Sequence, residues 1–184
     1  MKKRYLAIGG LLLPEDPAWK FMMQEGVIVG KRKDDPGIFQ ILHASQDTLP
    51  QPVTHEFCLQ VLRVMLKGEE EPTERQMGES ICGPYGAATF KREREVMRGW
   101  YCRRPPGLIY GVYACPATVA KGPGYTFITA RCALIMAEVL FDRASWGFED
   151  DPLTKVLLEN FERLEHERPE GPHQNEEFRN QKSE

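Results

Sequence analysis

The chain is poor in the patterns that announce chemistry. Its 184 residues include four histidines and five cysteines. No GxxxxGKS/T stretch occurs, and Gly9-Gly10 is followed by Leu11-Leu12-Leu13-Pro14 where a phosphate loop needs a further glycine and a helix start, so nucleotide binding by those routes has no support. The lack of GxSxG, HExxH and CxxC likewise removes the usual grounds for a hydrolase elbow, a helical zinc site or a thioredoxin-like redox pair. The cysteines, Cys58, Cys82, Cys102, Cys115 and Cys132, stand singly and are odd in number, which favours reduced thiols in a cytoplasmic protein over a secreted disulfide framework. No apolar run approaches the ~18 residues of a membrane helix. Basic Met1 to Arg4 and apolar Tyr5 to Leu13 imitate a secretory signal, but Pro14-Glu15-Asp16-Pro17 follows with no small-x-small cleavage site, and a first strand is expected there. A charge excess of one sign is missing too, since 24 Lys+Arg against 27 Asp+Glu leave −3, far from the basic balance of a general nucleic-acid binder.

What is present is enough apolar material for a core: 41% apolar and 28% charged residues, with 16 Gly and 14 Pro, describe one soluble globular domain. At this length folding removes roughly 70% of the surface of the unfolded chain, so neither metal nor disulfide is required to hold it together. Trp19 to Gln24 alternates as a strand, with a short helix after Asp16-Pro17 as the other reading. Val27 to Val29 and Ile38 to Leu42 are β-branched apolar runs separated by the Asp34-Asp35-Pro36-Gly37 turn signal. Phe57, Cys58, Val61, Leu62, Met65 and Leu66 form a helical stripe opened by Thr54 or Val53 and stopped at Gly68, and Glu69 to Glu74 then reads as a solvated loop.

Tyr85–Lys91, Val96–Arg103 and Leu108–Cys115 read as strands, the last apolar on both faces and therefore central. A buried helix is expected within Phe127 to Phe141, with a strand at Tyr125 to Thr129 before it as an option, and a last helix from Asp151-Pro152 carries Leu153, Val156, Leu157, Phe161 and Leu164. The order strands, helix, strands, two helices predicts an α+β fold: one domain over 1–166, an antiparallel sheet of about six strands with three main helices on one face, and a polar, disordered tail over 167–184. As architecture this grouping resembles compact sandwiches of the Mog1/PsbP-like kind, a resemblance that implies no function.

Two constellations stand out. His55 and Cys58, three apart on the predicted helix, share a side, where an imidazole lowers a thiol pKa or both ligate a metal; the plainer reading makes Cys58 a core residue and His55 a first-turn surface residue, with no metal bound. The stretch Lys91 to Arg104 holds six basic residues against Glu93 and Glu95 around Trp100 and Tyr101, as a nucleic-acid-binding strand pair would. Arg92, Arg94 and Arg98 share strand parity, so a solvated sheet face explains them equally well, and nucleic acid is disfavoured as a partner. Arg98, Trp100, Tyr101, Arg103 and Arg104 are instead the candidate anchors for a protein partner, beside a loop stiffened by Pro105-Pro106. The expectation is a small, bacterial-type cytoplasmic interaction protein, immunity- or adaptor-like, non-enzymatic and without cofactor or membrane attachment. A small-ligand sensor with an aromatic-lined pocket and an enzyme with an unfamiliar site are the alternatives.

Overall fold

A computed structural model describes residues 4–45, 49, 52–67 and 71–142. The chain divides into two compact units, Met1–Gly147 and Phe148–Glu184, and the described residues all belong to the first. Gly68, the helix expected from Asp151 and the tail 167–184 lie outside the described residues.

The chain opens with a small hairpin, β1 (Tyr5–Ile8) and β2 (Leu11–Pro14), turned by Gly9 and Gly10. Both glycines have positive φ, 56° and 78°, which a two-residue turn matched to strand twist requires. The single strand expected here is thus two, and β10 (Leu140–Phe141) adds to β2 to complete a three-stranded sheet. The remaining strands build one antiparallel sheet of seven: β3 (Lys20–Gln24), β4 (Val27–Lys31), β5 (Ile38–Ser45), β6 (Thr73–Ser80), β7 (Gly83–Arg92), β8 (Glu95–Arg104) and β9 (Gly107–Pro116). Their order is β3-β4-β5-β9-β8-β7-β6, so the twice-apolar β9 is indeed the central strand.

The fold is α+β, but ten strands in two sheets replace the six expected among the described residues. The largest omission is β6, whose sequence Thr-Glu-Arg-Gln-Met-Gly-Glu-Ser carries one large apolar side chain; its first two residues fall in the loop expected over Glu69 to Glu74 and the rest have no assignment from sequence. An edge strand exposed on both faces needs no apolar pattern; its backbone pairing with β7 defines it.

Helix α1 (His55–Leu66) starts where the hydroxyl of Thr54 accepts from the Phe57 amide, 3.2 Å away, and ends at Lys67 in the left-handed region. Its buried residues Cys58, Leu62 and Leu66 pack on Ala88, Phe90, Met97, Tyr101, Leu108, Tyr110 and Val112. After the single turn of α2 (Ala117–Ala120), α3 (Pro123–Glu138) begins with Pro123 at its first position and absorbs Tyr125–Thr129, the optional strand. Ile128, Cys132, Ile135 and Met136 of α3 join Leu11 and Leu13 of β2 over Ala87, Trp100, Cys102, Ile109, Tyr113 and Cys115. Those are the alternate residues of the strands that α1 covers, so the two helices lie on opposite faces of the sheet. The expectation of helices on one face is corrected, for a physical reason legible in β9: a strand apolar on both sides needs cover on both.

Candidate functional site

Helix α3 packs on β8 and β9 of the seven-stranded sheet and on β2 of the smaller one, and the larger sheet extends past it through β7 to the edge strand β6. The overhang leaves a cleft of about 570 Å³. Gln76, Met77 and Ser80 come from β6, Tyr85, Gly86 and Ala87 from β7, Trp100 to Arg104 from β8, and Ala133, Met136 and Ala137 from α3. Gly78 shapes the mouth: a Cβ there would lie 2.5 Å from Cζ of Tyr85, so the missing side chain lets the Tyr85 ring lie across the edge strand, half exposed. Met77, also largely exposed, alternates to the α1 side of the edge strand β6 and lines the cleft from there, and Ile81 on the β6–β7 turn is 91% exposed. Lys91, Arg92 and Arg94, by contrast, are exposed near the far turn of the β7–β8 hairpin.

Four of the five residues singled out from sequence, Trp100, Tyr101, Arg103 and Arg104, line this cleft; Arg98 does not. The burial is deeper than surface anchoring implied. Trp100 and Tyr101 are almost wholly enclosed, since β8 is an inner strand. Arg98, a candidate partner anchor for which strand parity equally allows a solvated face, is buried and tied internally: its Nη1 donates to the Thr89 hydroxyl at 2.9 Å and to the Glu74 carbonyl at 2.8 Å. It fastens β6 to the sheet. Arg103 donates to the carbonyl of Gly107, and burial lowers its pKa from the usual guanidinium value. Arg104 caps the end of α3, Nη2 donating to the Ala137 carbonyl at 2.7 Å, while its buried Nε finds no hydrogen-bond acceptor among the described residues. Between them the Cys102 thiol, pushed up to about 11 by burial, stays neutral at the cleft floor. The six basic residues of Lys91 to Arg104 therefore do not form one face, as a strand pair laid along nucleic acid would need.

The His55–Cys58 pair resolves differently from a thiol site. Cys58 is fully buried and its thiol is raised to about 12 by desolvation, the reverse of an activated nucleophile. His55 turns instead to Tyr101, Nδ1 lying 2.7 Å from the hydroxyl, and to Glu79, Nε2 lying 3.0 Å from Oε1. Carboxylate, imidazole and hydroxyl are in series, but the hydroxyl belongs to a buried tyrosine whose pKa is raised to about 12, chiefly by burial. It holds its proton, and the chain of bonds works as a tie between α1, β8 and β6. Local sequence could not show this, because Tyr101 is 46 residues from His55. On the same side Arg63 and Arg75 grip the two oxygens of Glu71 at 2.6 and 2.9 Å, closing a smaller polar cleft of about 370 Å³.

Among the described residues no three His, Cys, Asp or Glu side chains gather as a metal site, and no helix is long and apolar enough to cross a membrane. All five cysteines are free. No family model and no curated protein matches the chain. Among solved structures, it is similar to the cyanobacterial PsbP (CyanoP) of Synechocystis sp. PCC 6803, with 8% identity and a TM-score of 0.49, over 73% of this chain and 88% of that one. At that identity no side chain is carried across.

Proposed function

We propose that this is a non-catalytic interaction protein, cytoplasmic and adaptor- or immunity-like, whose cleft at the β6–β8 edge receives an apolar group presented by a protein partner. The observation that carries the reading is the coincidence of a cleft of about 570 Å³, within the usual size of a recognition pocket, with a mouth of exposed apolar side chains. Met77, Tyr85 and Ile81 extend the apolar surface beyond the cavity itself, as a protein contact needs and a small ligand does not. Among the described residues β6 is the sheet edge beside it, the kind of edge along which an extended segment can lie. Five free thiols support the reducing compartment. A small-ligand sensor is the second reading, favoured by the depth at which Trp100 and Met136 lie behind the mouth.

A photo-crosslinking residue placed at Met77 or Tyr85 separates the two. A protein partner gives a discrete higher-mass adduct in the native host, which the same residue at Val64, exposed on α1, does not give. Absence of any adduct from the cleft, with a small molecule retained by the purified protein, would transfer the site to the second reading.

A further inference from the structure

The cleft is apolar in its walls but not neutral. Met77, Tyr85, Trp100 and Met136 supply apolar surface, Arg103 and Arg104 supply positive charge, and no aspartate or glutamate lines it among the described residues. Arg103 already spends Nη1 on the Gly107 carbonyl. Arg104 is different. Its guanidinium is held at the cleft by the bond from Nη2 to the Ala137 carbonyl and lies beside the Cys102 thiol, and among the described residues it has no ion pair and its buried Nε no acceptor. A donor buried and unmatched in one state is the position an incoming acceptor completes, and among common acceptors a carboxylate matches a guanidinium in both shape and charge.

We infer that the group received by the cleft is an apolar side chain with a carboxylate next to it, supplied by an acidic segment of the protein partner and read by Arg104. The inference rests on the binding reading above and adds to it a charge. The apolar part fills the space between Tyr85, Trp100 and Met136, and the carboxylate meets a cation whose orientation is set before binding, so little side-chain entropy is lost in recognising it. The neutral Cys102 thiol beside Arg104 offers no competing negative charge at working pH.

Three probes with one apolar body test this on the unmodified protein: 4-phenylbutyrate, 4-phenylbutan-1-ol and 4-phenylbutylamine, titrated by calorimetry at low salt. The expected order is acid, alcohol, amine, with the acid bound about tenfold more tightly than the alcohol, as a charge-assisted pair provides. In Arg104→Met that preference disappears while alcohol binding persists, and Arg104→Lys keeps part of it. Equal binding of acid and alcohol by the unmodified protein would overturn the inference and leave the cleft reading standing. Failure of all three to bind would overturn both.

Discussion

Arg98 and Arg104 lie on the same strand and the same side of it, yet their surroundings give them opposite roles. Arg98 is enclosed by Thr89 and Glu74 and has become part of the frame; Arg104 bonds the Ala137 carbonyl, and its Nε has no acceptor among the described residues. The thiols divide in a similar way. Burial raises the pKa of Cys58, Cys102, Cys115 and Cys132, while Cys82 sits partly exposed on the β6–β7 turn. Iodoacetamide at near-neutral pH is therefore expected to label the native protein once, at Cys82, with the other four reacting only on unfolding, as peptide mass mapping would show. Labelling of Cys58 before Cys82 would contradict this. A second residue-scale prediction concerns Tyr113, whose hydroxyl donates to both oxygens of the buried Asp35 at 2.9 and 2.8 Å. Tyr113→Phe strands that carboxylate and is expected to cost about 2–3 kcal/mol in denaturant unfolding, against little change for a tyrosine-to-phenylalanine exchange at exposed Tyr5.

At the scale of elements, α1 is held to the sheet edge by more than its apolar stripe. Glu79 on β6, His55 on α1 and Tyr101 on β8 join three elements through two hydrogen bonds. Glu79→Gln keeps a hydrogen-bonding group and Glu79→Ala removes it, so the alanine variant is expected to speed amide exchange in β6 and the first turn of α1 while the centre of β9 is unaffected. The stripe of α1, its Thr54 cap, the break between β4 and β5 and the central place of β9 were all legible in the sequence, because each depends on local pattern or on apolarity over a few residues. β6 was not, since an edge strand's identity resides in its partner's backbone. Nor was the second covered face, which follows only once the parity of β8 and β9 is combined: Tyr101 and Tyr110 turn toward α1, Trp100 and Ile109 toward α3. The candidate site was half visible. Trp100, Tyr101, Arg103 and Arg104 were selected together for charge and aromatic character and do share a cleft, whereas Met77, Tyr85 and Met136 are brought to it only by tertiary structure.

At the scale of the whole molecule, several ionisable groups are buried in their neutral forms. The thiols of Cys58 and Cys102 and the phenol of Tyr101 are raised to about 12, 11 and 12, and burial pushes Tyr110 and Tyr113 up as well. Above roughly pH 9 the unfolded chain gives up these protons while the native state keeps them, so the native state binds more protons and stability falls as pH rises. Below the unfolded-state values of these groups the contribution is fully present. Thermal melts are thus expected to show a midpoint falling steadily from about pH 9 upward, and a flat midpoint between pH 9 and 11 would contradict the account.

The overhang of the sheet beyond α3 ties the fold to its proposed role, since the cleft lies between α3 and the strands that extend past it. Ala133→Trp supplies that filling from α3 itself, at a half-buried position facing the site. The most direct measurement is the affinity of the crosslinked partner, once isolated, for this variant and for Val64→Trp on the opposite helix. A loss of a hundredfold or more for Ala133→Trp, with Val64→Trp unchanged and both variants retaining the native circular dichroism spectrum, is the result expected. Undiminished affinity for a folded Ala133→Trp would show that the partner does not enter the cleft.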